Sequence, residues 1–175
     1  MTHQAADHGP ISFTLRQFQK SDLDWVIDRH DKLYSEEQGF DETFRPYVEG
    51  PVYDFGASAI PEKENLWVAE AWKGAGAEGI RAGMIAIVRV DDSTAQLRWY
   101  LIEPEFRSLG LGRTMMRTAL DFTKAAGYNK VFLWTVSQLD AARHLYTDFG
   151  FRITEIETHD IWGKVQTEER WELAL

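Results

Sequence analysis

The chain has 175 residues, with 44% hydrophobic and 13% aromatic residues, a formal net charge of −9 and no cysteine. That length suits one domain able to bury roughly 70% of the surface its unfolded form exposes, and the apolar content excludes disorder over most of the chain. The missing cysteines exclude a disulfide framework, a thiolate metal site and a cysteine nucleophile, while the acidity argues against nucleic acid as a partner.

Residues 1–10, MTHQAADHGP, read as a flexible tail, and residues 11–175 as a single domain. No apolar run approaches the ~20 residues of a membrane helix, so a cytoplasmic protein without a membrane partner is expected. Ile11, Phe13 and Leu15 alternate with polar residues as a strand does. Ser21 is read as the cap of a helix with Asp24 as its capping-box acid, carrying Trp25, Val26, Arg29 and Leu33 and ending near Gly39. A second short helix follows Asp41, with Pro51 and Gly56 breaking it. Strands are predicted over Leu66–Trp72, Arg81–Val90 and Ala95–Ile102, the first two joined by a turn across Gly74–Gly79. A helical face runs over Gly112–Ala126, with apolar residues at Met115, Met116, Ala119, Leu120 and Phe122 and a stop at Gly127. Val131–Thr135 is a short buried strand, Leu139–Phe149 a helix, and Phe151–Glu157 and Glu168–Leu175 the closing strands. The order β-α-α-β-β-β-α-β-α-β-β makes an α/β (α+β) domain, a mixed sheet with helices packed on it.

Charge is unevenly placed. Residues 21–70 hold 13 Asp and Glu against 4 Lys and Arg, whereas the stretch from Arg107 to Arg143 is locally basic and could receive a polyanion. In that stretch Arg107-Ser-Leu-Gly110-Leu-Gly112-Arg113 lies between a strand and a helix. Such a junction aims free N–H groups and the positive end of the helix dipole at one spot, which suits a pyrophosphate. A bland tight turn is the alternative for a lone G-x-G. A P-loop would need lysine where Arg113 stands, and the dinucleotide fingerprint would need glycine at Met115.

The stretch Leu101-Ile102-Glu103-Pro104-Glu105-Phe106-Arg107-x-x-Gly110-x-Gly112 resembles the signature of the GNAT family of N-acetyltransferases. A second block, Ala142-x-x-x-Tyr146-x-x-x-Gly150-Phe151, stands in the matching place. Within that family, GFDETF, LWTVSQLDAARHLYTDFGF and ERWELAL look like the module that in some proteins follows a MarR-like DNA-binding domain. The chain resembles that module standing alone, and DNA binding is not carried over.

The resemblance implies a GNAT-like, mostly antiparallel sheet with helices on both faces, acetyl-CoA as co-substrate and no metal. It implies that acetyl-CoA lies where two parallel strands splay apart. The strand backbone of Leu101, Ile102 and Glu103 would face the pantetheine arm, and the amides of Ser108, Leu109, Gly110, Leu111, Gly112 and Arg113, with Arg107, would hold the pyrophosphate. Ala142 and Tyr146 would complete the site, Tyr146 acting as general acid toward the departing thiolate; by pattern alone Tyr146 is equally an aromatic packed on the sheet. Some members carry a glutamate base where Gln96 stands and an asparagine where Leu139 stands, so the base is unassigned, with Glu37, Glu70, Glu103 and His159 as candidates by type.

The acceptor is expected to be a primary amine of a small molecule or peptide, attacking directly in a ternary complex. The alternative is a weakly catalytic acyl-CoA sensor, prompted by Gln96 and Leu139. The acidity of residues 30–56 reads as attraction for a cationic amine or as a solvated face. Arg98 reads the other way, as a partner for an acceptor carboxylate or for a neighbouring acid. His30, Tyr34, Phe40 and Trp99 line a pocket or belong to the core. A homodimer is prompted by Trp162 and Trp171, read as covering a sheet edge.

Overall fold

In the computed structural model, residues 11–74 and 78–175 are described. The expected tail over residues 1–10 lies outside them, as does part of the turn across Gly74–Gly79. The chain runs β1 (Ile11–Gln17), α1 (Leu23–Gln38), α2 (Phe44–Ser58), β2 (Asn65–Lys73), β3 (Ile80–Arg89), β4 (Thr94–Ile102), α3 (Leu111–Ala125), β5 (Lys130–Val136), α4 (Asp140–Asp148), β6 (Arg152–Ile161) and β7 (Lys164–Ala174). The seven strands form one sheet in the order β1-β2-β3-β4-β5-β7-β6. Every neighbouring pair is antiparallel except β4 and β5. The predicted element order and fold class are those observed. Among the described residues no helix is long and apolar enough to cross a membrane.

Each face of the sheet has its own core. One buries Met115, Met116, Ala119 and Leu120 of α3 with Tyr146 of α4 against Leu97, Leu133 and Trp171. The other buries Val26, Ile27 and Leu33 of α1 and Phe44, Val48 and Val52 of α2 against Leu66, Met84, Trp99 and Leu101. Strand alternation sends neighbouring residues of the central strands to opposite cores.

Three local readings need correction. The acid that closes the turn before α1 is Asp22, whose Oδ2 accepts the Gln19 N–H at 2.8 Å. Asp24 instead accepts a bond from Tyr53 on α2. α2 also continues through Pro51. The carbonyl that loses its donor there belongs to Tyr47, a half-exposed residue, and the apolar face of α2 continues past it. Gly56 is a close approach rather than a break, because a Cβ there would run into the side chain of Leu23. Trp162 and Trp171, finally, are 9% and 5% exposed, so neither covers an outer edge and both belong to cores.

The last two strands are longer than the sequence pattern indicates because Trp162 and Gly163 form the two-residue turn between Ile161 and Lys164. Both have positive φ, 52° and 83°, the conformation that suits the twist of a hairpin. Trp162 tolerates it by burying its indole against Phe40, Phe44 and Tyr47. Its carbonyl also accepts the Asp41 N–H at 3.1 Å. The β6–β7 hairpin therefore pins the α1–α2 connection to the sheet.

On the opposite side of β4, Gly83 of β3 pairs with Ile102. A Cβ there would stand 2.8 Å from the Leu101 carbonyl oxygen, a backbone atom that cannot swing aside. Gly83→Ala is expected to lower the unfolding free energy by about 1–3 kcal/mol. A shift of the urea midpoint at unchanged slope would register it.

Candidate active site

The site begins with a fault in the sheet. β3 and β4 pair Met84 with Leu101 and then Ala86 with Arg98, so β4 holds one extra residue there. The bulge includes Trp99, a non-glycine residue at φ 48°. Such a conformation costs about 1–3 kcal/mol. Burying a tryptophan removes roughly 150–250 Å² from water, which at about 25 cal/mol/Å² outweighs that strain. Trp99 is 7% exposed and meets Phe55 edge-on, with ring centroids 5.4 Å apart. A bulge bends its strand, and β4 pairs with β5 only from Thr94 to Gln96. Beyond Gln96 the two strands part.

The chain then turns from β4 into α3. Ser108 and Gly110 have φ of 63° and 82°. The Arg107 N–H donates to the Pro104 carbonyl and the Thr114 N–H to that of Gly110. Among the described residues, the intervening N–H groups from Ser108 to Arg113 have no main-chain acceptor, and they gather at the positive end of a helix of 15 residues. Gly112 is required there, because a Cβ would meet the Tyr100 hydroxyl.

A groove of about 720 Å³ opens along this turn, within the roughly 300–1,000 Å³ of small-molecule sites. Leu101, Ile102, Arg107, Ser108, Gly110, Gly112, Arg113, Ala142 and Tyr146 line it, so most of the expected cofactor residues are brought together. Leu109 is 49% exposed and Leu111 is 1% exposed; their side chains face water and core, leaving only their backbone to the site. Glu103 does not line the groove. Its carboxylate holds Arg29 of α1 at 2.5 and 2.6 Å, and its N–H donates to the Ala82 carbonyl. Arg107 spans the groove, donating to the Ile102 carbonyl at 3.1 Å and to Glu37 of α1 at 2.9 Å. Arg113 pairs with Asp148, and Arg143 with Asp140 and Glu169, so much of the expected basic field is neutralised.

A second, smaller cavity of about 100 Å³ lies on the α1–α2 face of the sheet, lined by His30, Tyr47, Gln96, Arg98, Trp162 and Glu168 among others. The two cavities share Tyr34, Tyr100 and Tyr146. Burial holds the Tyr146 phenol well above its usual range, raises Tyr100 and pushes Tyr34 up to about 12. These phenols keep their protons at neutral pH and can donate them. Among the described residues the Tyr146 hydroxyl has no protein hydrogen-bond partner.

Burial lowers His30 to about 4, assisted by the charge of Arg98 and opposed by the bond between Nδ1 and the Val26 carbonyl. The imidazole is therefore neutral at pH 7.

None of the four acids and bases proposed by type is free in the smaller cavity. Glu37 holds Arg107, Glu70 holds Arg16 and Glu103 holds Arg29. His159 stands 2.8 Å from Glu157 and 3.7 Å from Glu168. Glu168, which local spacing does not single out, lines the cavity itself. Desolvation raises its pKa, with His159 opposing and Glu157 adding to the rise. The only signal for it lies in the register that sets it opposite Val136 of β5.

The acidic stretch is likewise accounted for. Asp28, Asp31 and Glu49 surround Arg45, Asp22 holds Arg16 and Arg81, and Glu64 accepts the Ile60 and Arg89 N–H groups. None of the acids of residues 21–70 lines the smaller cavity. Phe40 belongs to the core rather than the cavity.

The model of the acetyltransferase (GNAT) family matches residues 27–151 of this chain. The chain belongs to the GNAT family. It is similar to N-acetyltransferase family 8 member 3 of Rattus norvegicus, 38% identical over 94 residues, which are 51% of this chain and 39% of that protein. The chain thus spans less than half the length of that relative. The GNAT fold agrees with solved structures. A Streptococcus agalactiae acetyltransferase superposes with a TM-score of 0.73 at 18% identity, covering 93% of this chain and 98% of that one. A spermidine N-acetyltransferase of Vibrio cholerae, in complex with CoA and spermine, gives 0.68 at 19% identity and coverages of 93% and 95%.

Neutral burial of His30 has a pH consequence. Its native pKa lies below the unfolded value of about 6.5, so the unfolded chain binds the extra proton. The stabilisation is fully present above about pH 6.5 and is lost as pH falls toward about 4, on the order of 3 kcal/mol when complete. Urea unfolding at pH 7 and pH 5 is expected to show this loss, and His30→Gln to reduce it.

Proposed function

We propose that this GNAT chain is an acetyl-CoA-dependent N-acetyltransferase that acetylates a primary amine by direct attack in a ternary complex. The observation that carries the reading is the meeting of the two cavities at Tyr34, Tyr100 and Tyr146. One cavity has the length and the free N–H groups for a pyrophosphate-bearing arm, and the other is a small recess for an amine.

Bound acetyl-CoA supplies a thioester whose C–S bond breaks as the C–N bond to the amine forms. The N–H groups from Ser108 to Arg113 bind the pyrophosphate oxygens, aided by the helix dipole. The β4 backbone beyond the bulge offers unpaired amides to the arm as an added strand would. Glu168 accepts the proton of the incoming ammonium, directly or through water, since a carboxylate of raised pKa is the better base. Tyr146, held protonated by burial, donates a proton to the departing sulfur, and the second proton that the nitrogen sheds as the amide forms restores the phenol.

The sensor alternative drew on Gln96 and Leu139. Gln96 lines the acceptor cavity and Leu139 the groove, and Glu168 supplies the carboxylate that Gln96 lacks. Self-association loses its basis in Trp162 and Trp171, which are buried in the cores.

Thiol release from acetyl-CoA across a panel of amines tests the reading. Tyr146→Phe is expected to keep CoA affinity while lowering kcat about ten-fold or more, and unchanged kcat would return the tyrosine to packing. Glu168→Gln is expected to lower kcat and to flatten the acid limb of the kcat/KM profile. An unaltered limb would exclude Glu168 as the base.

A further inference from the structure

Most arginines among the described residues hold a carboxylate. Those that do not are Arg98, Arg117 and Arg152, and of these only Arg98 is partly buried, the other two being exposed. It lies on β4 next to the bulge, and its guanidinium stands 5.1 Å from the ring centroid of Trp99. It lines the small cavity, where desolvation lowers its pKa. A guanidinium so placed, with its hydrogen-bonding fork unmatched by any acid, is a ready receptor for a planar anion.

Glu168 lines the same cavity without pairing to Arg98. The recess therefore carries one cation and one carboxylate, each free of the other. A polyamine would bring further positive charge to a cavity that already holds an arginine and receives none of the early acidic residues. The cavity is small, about 100 Å³, below the roughly 150 Å³ that accommodates benzene. An anionic group on Arg98 and an amine facing Glu168 must then be close neighbours in one molecule.

We infer that the acceptor is an amino carboxylic acid whose carboxylate docks on Arg98 while its amine faces Glu168 and the meeting point of the two cavities. This deepens the acetyl-transfer reading and rests on it. Arg98 is a specificity residue: it fixes which amine is held, and takes no part in moving protons.

The test compares the common L-amino acids with the amines that differ from them only by loss of the carboxylate, and with spermidine. Thiol release from acetyl-CoA and quenching of tryptophan fluorescence, to which Trp99 and Trp162 of the cavity contribute, are both read. For the intact chain, kcat/KM for the preferred amino acid is expected to exceed that for its decarboxylated partner by roughly 10- to 100-fold, the range of one charge-assisted bond. Arg98→Gln is expected to bring that ratio close to one, chiefly through KM, and Arg98→Lys to restore part of it. Equal turnover of both partners, or preference for spermidine, would overturn the inference while leaving the transferase intact. Arg98-dependent binding of an amino acid without release would support the carboxylate site and defeat the transferase reading. Neither binding nor release with any amino acid would also overturn the inference.

Discussion

The bulge at Trp99 is the constraint on which the rest of this molecule depends. A seven-stranded sheet with every strand fully paired would have no room for a ligand between its middle strands. One extra residue in β4 bends that strand away from β5 after Gln96. The unpaired backbone this leaves is tolerable only because it borders a groove that water or a ligand can enter. Core packing supports the distortion from both sides: Phe55 and Trp99 meet on one face, and Gly83 lets β3 lie close against β4 on the other. The larger groove and the smaller cavity are the two sides of this one divergence.

Charge follows the same division. The chain is strongly acidic, yet its early acids tie helices and strands together around Arg16, Arg45 and Arg81. The exposed pairs around Arg45 contribute little each, and the effect of the whole set is to leave the inner cavity to a few other groups. Burial is then the largest influence on the protonation states that matter, keeping the tyrosines protonated, His30 neutral and the Glu168 pKa raised.

Much of the fold was legible because it rests on local periodicity. The apolar spacing of α3, the alternation of β4 and the glycine-bearing turn before α3 are visible within a dozen residues, and the element order follows from them. The bulge at Trp99 was not legible, since no residue type marks a left-handed tryptophan. The Trp162–Gly163 turn was missed for the same reason, as its stability comes from aromatic partners on α2 and the loop before it. Pro51 misled because the packing of α2 outweighs the loss of one hydrogen bond. In the site, the turn before α3 was readable from its glycines, whereas Glu168 depends on β7 pairing beside β5. That pairing spans the chain from Val136 to Glu168 and leaves no trace in short-range spacing.

The docking of the Trp162 turn under α1 and α2 also fixes an order of assembly. On the ribosome, every residue that lines the larger groove, ending with Tyr146, is made before Trp162 and Glu168. β5 can find β4 early, but its other edge stays bare until β7 arrives to fill the place between β5 and β6. The nascent chain thus has the parts of its larger groove while the recess beneath the helices still lacks a wall. The smaller cavity is the last part of the molecule whose wall is synthesised.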